Sequence, residues 1–201
     1  MLITFEGIDG CGKSTQIEKL KEYFDNNGVG YSVFREPGGT EISERVRSLL
    51  LHDTDDMDAV TELLLFSAAR SQLIREKVIP LLEQNEIVIL DRFYDSTTAY
   101  QGFGRNSSSL SDIHTLNKLA SHGTVPDLTF YLKIDPKIAT QRTKGTEKDR
   151  LESAGDDFFK KVATGYDMLV STDKRFCVID ADRSPEEIHD EIVTIIEAYQ
   201  Q

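Results

Sequence analysis

Gly7-Ile8-Asp9-Gly10-Cys11-Gly12-Lys13-Ser14-Thr15 is the stretch on which the fold turns. Gly7, Gly12, Lys13 and Ser14 satisfy the spacing G-x-x-x-x-G-K-[ST]. Glycines let the backbone curl until several N–H groups point at one anion. The lysine ammonium adds a mobile positive charge, and the serine hydroxyl suits a magnesium shell. The flanks supply the context that such a pattern needs. Leu2-Ile3-Thr4-Phe5 is a short β-prone run, and residues 16–24 carry apolar side chains at helical spacing. Strand, loop and helix in that order set bound phosphates at a helix N-terminus, where unpaired N–H groups favour anions. An ordinary glycine-rich strand-to-helix turn is the plain alternative; the context favours a nucleotide-phosphate site.

Outward from this loop, Asn26-Asn27-Gly28 ends the first helix and residues 31–34 read as a second strand. Arg35-Glu36-Pro37-Gly38-Gly39-Thr40 follows, and two readings stand: a turn into the helix starting near Glu41, or a substrate loop. Residues 58–83 form a long helical pattern, with Asp53, Thr54 and Asp55 as N-cap candidates before it and Pro80 placed to kink its last turn. Phe66 and Arg70 lie four apart and share a face. An arginine beside an aromatic can clamp a flat base, although a core phenylalanine and a surface ion-pair arginine explain the same residues.

Ile87-Val88-Ile89-Leu90 is a continuous apolar run, as a strand buried on both faces requires, and it ends in Asp91-Arg92. In open α/β sheets ligands collect at such strand ends. There Asp91 suits a second magnesium anchor, or alternatively a helix N-cap, and Arg92 points into the same cleft to grip a phosphate. Residues 94–104 begin as a hydroxyl-bearing helix and stop at a glycine-flanked turn. A helix over 108–122, a strand over 128–134 and a short helix from Asp135-Pro136 come next. Residues 141–150 are polar and carry Arg142, Lys144, Lys148 and Arg150 around one glycine. A solvated loop is the dull explanation; a lid that brings cations over phosphates is the functional one. A helix over 156–171, a strand over 176–179 and a last helix opened by Ser184-Pro185-Glu186-Glu187 complete the chain. Five strands alternating with helices imply a parallel sheet covered on both faces, with right-handed crossovers.

The 201 residues fit one domain, 1–201, with a sizeable core. Against 23 Lys and Arg stand 35 Asp and Glu, a net charge of −12 that disfavours non-specific contact with nucleic acid or an anionic membrane. A nucleotide must therefore be held by local cations. Two cysteines indicate no disulfide framework, and Cys11 reads as a small loop residue. Without a signal peptide or an 18-residue apolar run, the expectation is a cytoplasmic protein. The histidines are scattered without metal-ligand spacing.

The phosphate loop, Arg35-Glu36-Pro37-Gly38-Gly39-Thr40, Asp91-Arg92-Phe93, Ala99-Tyr100-Gln101-Gly102 and Asp149-Arg150-Leu151-Glu152 occur in this order. With that set the chain resembles the thymidylate kinase family along its whole length. The resemblance implies an α/β P-loop NTPase fold, a five-stranded parallel sheet flanked by helices on both faces, with a lid at about residues 141–152. It implies transfer of the ATP γ-phosphoryl group to dTMP with magnesium, giving dTDP and ADP for dTTP biosynthesis, by a cytoplasmic homodimer. By position, Phe66 would stack on thymine, Arg70 would bond its edge and Thr97 would sit near the base. Tyr100 would crowd the sugar 2′ position, with Gln101 close by, and Asp9 would take the 3′-OH. Arg35 and Arg92 would hold the monophosphate. Gly7, Ile8, Asp9, Gly10, Cys11, Gly12, Lys13, Ser14 and Thr15 would cradle ATP, Arg142 would lie near the adenine, and Ser14 and Asp91 would hold the metal. The loop interior Ile8-Asp9-Gly10-Cys11 contains no arginine, so the resemblance is to the bacterial arrangement with lid cations. Lys13, Arg92, Asp9 and Arg150 then form the catalytic set, Arg150 stabilising transition-state charge. Another nucleoside monophosphate or deoxynucleoside kinase is the near alternative, and a P-loop nucleotide switch the distant one.

Overall fold

The computed structural model describes residues 1–52, 56–145, 150–151 and 154–200. Five strands, β1 (Leu2–Glu6), β2 (Tyr31–Arg35), β3 (Ile87–Asp91), β4 (Leu128–Lys133) and β5 (Phe176–Asp180), form one sheet in the order β2-β3-β1-β4-β5. Every pairing is parallel, with Ile3 opposite Ile89 on one side of β1 and opposite Leu128 on the other. The sequence reading anticipates this sheet. β1 lies at its centre and all five of its residues are buried, Ile3 and Phe5 on one face and Leu2, Thr4 and Glu6 on the other.

Alternation along the strands sorts the two faces. Ile3, Phe5, Ile89, Phe130 and Leu132 pack with Ile17, Leu20 and Phe24 of α1 (Lys13–Asn26) and with Ile188, Ile192 and Ile196 of α9 (Pro185–Gln200). On the opposite face Leu2, Val88 and Leu90 pack with Leu73, Ile74, Val78 and Phe93. Each such side chain, fully buried, contributes about 1.5–3 kcal/mol. This second face is partly polar. The Thr4 and Thr129 hydroxyls, opposite each other in the ladder, lie 2.8 Å apart. Arg175 donates to Thr129 at 2.6 Å and grips both oxygens of Asp95 at 2.6 and 2.7 Å, tying the segment after β3 to the β4–β5 side.

The long helical pattern after α2 (Glu41–His52) is α3 (Ala59–Leu73), a π-helical turn at Ile74–Val78 and α4 (Ile79–Glu83). Asp58 caps it, accepting from the N–H groups of Val60 and Thr61; the candidates Asp53, Thr54 and Asp55 lie outside the described residues. The irregularity precedes Pro80, since Ile79 N–H already bonds back to Ile74 across a widened turn. After β3, the helical stretch that starts as α5 (Tyr94–Thr97) ends at Gly104, as the sequence suggests. Its second part, Thr98–Gly104, is a π-helix, in which Gly102 lies near Ile113 and Gly104 lies against the Phe158 ring. A Cβ on Gly104 would lie 2.5 Å from the Phe158 ring. Helix α6 (Leu110–Ala120) is shorter than 108–122 because the Ser109 hydroxyl caps it. Residues Gln141 and Arg142, read as loop, are the last turn of α7 (Pro136–Arg142), capped by Asp135. α8 (Asp156–Thr172) packs Phe158, Val162 and Tyr166 into the core. Ser184 and Glu187 exchange backbone and side-chain bonds at the start of α9, a capping box contributing about 1 kcal/mol.

Because all five strands run the same way, their carboxyl ends share one edge. The loops after β1, β2, β3 and β5 meet there, and they build one cleft.

Candidate active site

The cleft has a volume of about 730 Å³. Its floor is the phosphate loop. Gly12, at φ 100°, precedes α1 and offers no side-chain cap, so the first-turn N–H groups of the helix are left for an anion. Gly10 (φ 83°) also admits no other residue, since a Cβ would lie 2.5 Å from the Ala139 carbonyl. Lys13 folds back over the loop, its Nζ 3.2 Å from Gly7 O and 3.4 Å from Ile8 O. Ser14 and Thr15 stand exposed at the helix start on the cleft wall.

The end of β3 meets this loop from the side. Arg92 follows β3 with a left-handed backbone, φ 70°, which is unfavourable for a residue with a side chain. Its guanidinium donates to Gly7 O at 2.8 Å, Ser96 Oγ at 3.2 Å, Asp9 Oδ1 at 2.5 Å and Tyr100 Oη at 3.2 Å. It also lies 4.9 Å from the centre of the Tyr100 ring. Tyr100 donates in turn to Asp9 Oδ2 at 3.1 Å. Burial pushes the Asp9 carboxyl up, but Arg92 and Lys13 outweigh it and bring the pKa down to about 2. Burial pushes the Tyr100 hydroxyl well above its ordinary range, so it stays protonated and serves as a donor. Asp91 lines the cleft and does not cap a helix: α5 begins at Tyr94 without a side-chain cap, and the buried Asp91 Oδ1 has no hydrogen-bond partner among the described residues.

On the far wall the β2–α2 loop faces α3. Arg70, 2% exposed, donates to Glu36 Oε2 at 2.7 Å and to Thr97 Oγ1 at 2.8 Å. Burial raises the Glu36 carboxyl, and Arg70 offsets part of that rise. This pair fixes the arginine against the cleft, one helical turn from Phe66. Phe66 is half-buried: it packs against the small cluster of Leu50, Leu51 and Leu151 and also lines the cleft. Gln101 is held by Glu62 at 2.9 Å. Arg35 reaches the cleft from the end of β2, with Glu44 3.3 Å away.

Arg142 flanks the phosphate loop at the opposite end, its guanidinium donating to Ala181 O at 3.0 Å. Arg150 is placed differently from the sequence expectation. It pairs with Glu62 at 2.6 Å, donates to Leu50 O at 3.0 Å and does not line the cleft. Glu62 is 1% exposed, and Arg150 shares it with Arg105, whose Nε lies 3.4 Å from the other Glu62 oxygen. Lys148, Asp149 and Glu152, named in the lid reading, lie outside the described residues. Arg47 and Arg183 also line the cleft and escaped the sequence reading. Arg183 lies three residues after β5, so the strand-end rule applied to the loop after every strand points to it. Arg47, which donates to Pro37 O at 2.8 Å, carries no local signal on its helix.

The cleft thus holds a phosphate cradle at one end, a flat apolar-and-cationic wall at the other, and Arg92 between them. A family model described as thymidylate kinase matches residues 5–192. A thymidylate kinase of Chlorobaculum tepidum is 46% identical over 209 residues, covering 98% of this chain and 97% of that relative. One of Chlorobaculum parvum is 44% identical over 209 residues, covering 98% and 96%. One of Thermoanaerobacter sp. is 43% identical over 198 residues, covering 98% and 97%. On a match of this extent, the chain belongs to the thymidylate kinase family.

Proposed function

We infer that this chain transfers the γ-phosphoryl group of ATP to dTMP, giving dTDP and ADP. The observation that carries the reading is the single cleft in which Arg92 stands between the phosphate loop and the wall of Phe66, Arg70, Thr97 and Tyr100. ATP phosphates bind the loop from Gly7 to Thr15, with Lys13 leaving its parking place on Gly7 and Ile8 to follow them. Arg142 lies beside the adenine. Thymine stacks on Phe66, with Arg70 and Thr97 at its edge and Gln101 nearby. Tyr100 and Asp9 receive the sugar, and Arg35 and Arg92 the monophosphate. The acceptor is a phosphate oxygen already ionised at neutral pH, so no strong general base is needed. Positioning and charge neutralisation provide most of the acceleration. Arg92 touches the loop and the acceptor side together, which is where charge on the transferring group develops. Arg150 joins it only by leaving Glu62 as the lid closes over the phosphates, and closure also keeps water from hydrolysing ATP.

Magnesium fits the residues present. The partnerless Asp91 Oδ1 supports a cation nearby, and the exposed Ser14 hydroxyl stands on the same cleft wall. Ser14 and Asp91 would hold the ion, which supplies neutralisation of phosphate charge when bound. A homodimer, one domain from 1 to 201 and a cytoplasmic location belong to the same reading. Exposed Ile42 and Leu49 on α2, with Val60 and Leu64 on α3, support an apolar contact between two copies. Among the described residues, no helix is long and apolar enough to cross a membrane.

The test is product identity. Incubation with ATP, magnesium and dTMP, followed by chromatographic separation of nucleotides, should give dTDP and ADP in equal amounts. ADP without dTDP would refute the reading.

A further inference from the structure

We propose that Glu6 is a positioning residue that holds Arg92 in its phosphate-gripping geometry. The proposal rests on the reading of Arg92 as a dTMP phosphate ligand. Glu6 ends β1, immediately before the phosphate loop, and its exposure is 0%. A carboxylate there serves neither the apolar face of the sheet nor the cleft, which it does not line. Burying an ionisable group without purpose is costly, so the donors gathered around it state what it does.

Three donors converge on its two oxygens. Oε1 accepts from the Phe93 N–H at 2.7 Å, and Oε2 accepts from Ser96 Oγ at 2.6 Å and Tyr166 Oη at 2.9 Å. Two of these bonds act on Arg92. The Phe93 N–H belongs to the peptide that leaves Arg92, whose φ of 70° needs outside support to persist. The Ser96 hydroxyl gives its one proton to Glu6 and presents a lone pair to Arg92 NH1 at 3.2 Å. One carboxylate therefore fixes the strained backbone of Arg92 from below and its guanidinium through Ser96. Asp9 cannot fulfil this role alone, since its side chain lies at the cleft rim, 28% exposed, where the sugar arrives. Tyr166 ties the same carboxylate to α8 and, by stacking on Tyr131 with ring centres 4.9 Å apart, to β4. An amide at position 6 would offer one acceptor oxygen to three donors, so Glu6→Gln changes this function with little change of shape.

The test is steady-state kinetics on Glu6→Gln, Ser96→Ala, Arg92→Ala and the double variant Glu6→Gln/Arg92→Ala, each with a thermal melt. Glu6→Gln should raise the KM for dTMP about tenfold and leave the KM for ATP within about twofold. Ser96→Ala, which removes only the side-chain link, should raise it about threefold. In the Arg92→Ala background, Glu6→Gln should add less than about twofold, because the group being positioned is gone. An equal rise in both backgrounds, a joint rise of the ATP and dTMP KM values, or an unchanged dTMP KM in Glu6→Gln would overturn the proposal. If Glu6→Gln does not fold, an unchanged dTMP KM in a folded Ser96→Ala overturns it instead. An unchanged dTMP KM in Arg92→Ala alone would refute the underlying reading of Arg92, a result distinct from the failure of Glu6.

Discussion

Arg92 donates to the Asp9 carboxylate at 2.5 Å, so the end of β3 is bonded directly to the interior of the phosphate loop. The contact joins a residue read as phosphate ligand to one read as sugar ligand. Arg92→Ala should therefore lower kcat/KM for dTMP by about thirtyfold or more, since truncating one partner of such a pair costs roughly 2–5 kcal/mol. Arg92→Lys should recover little, because one ammonium cannot serve Gly7 O, Ser96, Asp9 and a phosphate in a fork. Near wild-type kinetics in Arg92→Lys would show that only its charge matters.

Phe66 and Arg70 present one face of α3 to the cleft. Base stacking on an aromatic contributes about 1–3 kcal/mol, so Phe66→Ala should raise the dTMP KM roughly tenfold to a hundredfold and lower kcat less. Equal losses for ATP and dTMP would count against stacking by Phe66.

Glu36 and Arg70 form a buried pair, their side chains 3% and 2% exposed. Removing one partner leaves the other charge uncompensated, a cost of about 3–5 kcal/mol. Arg70→Met should lower the melting temperature markedly, and Arg70→Met with Glu36→Gln should restore part of it. Additive destabilisation in the double variant would mean that the pair is not coupled.

Two carboxylates should move stability in opposite directions with pH. Asp9 has its pKa depressed to about 2, so its contribution is present above the ordinary carboxylate range and is lost as pH falls toward that value. Glu6 is pushed up to about 7 by burial and Asp95, against bonds from Ser96 and Tyr166 and the charge of Arg92. A raised carboxyl favours the folded state when protonated, so this contribution is present at low pH and lost as pH rises through about 7. The melting temperature of Glu6→Gln relative to the parent should then increase between about pH 5 and pH 8. A difference that is flat across that range would contradict the raised Glu6 carboxyl.

Arg150 sits on Glu62 in the structure, and the lid reading requires it to exchange that carboxylate for phosphate. Arg150→Lys should lower kcat more than about tenfold with little change in either KM, the sign of an interaction made in the transition state. A lowered melting temperature with unchanged kcat would make Arg150 a structural tie between the lid and α3.

The phosphate loop, the sheet and the residues at the end of β3 were legible in the sequence because their signals are local. Glycine spacing, apolar runs and a charged pair at a strand terminus can each be read within a dozen residues. The π-helical form of Thr98–Gly104 was not, since its wider turn uses the same residue types as an α-helix. Glu6 was invisible for a different reason. At the end of an apolar strand it reads as the polar edge of a loop, and only the packing of Phe93, Ser96 and Tyr166 around it reveals three donors. The place of Arg150 on Glu62 was not legible either, because that partner lies on a distant helix and no spacing rule couples the two. Phe66 needed the tertiary structure to show that it touches both a core cluster and the cleft.

Coupled ADP release with magnesium and ATP, measured against dTMP, dUMP, UMP, dCMP, thymidine and no acceptor, tests the central claim most directly. The account predicts strong preference for dTMP and little turnover without an acceptor. Best activity with UMP or thymidine would contradict the base and phosphate assignments on the α3 wall, and turnover independent of any acceptor would contradict the transfer itself.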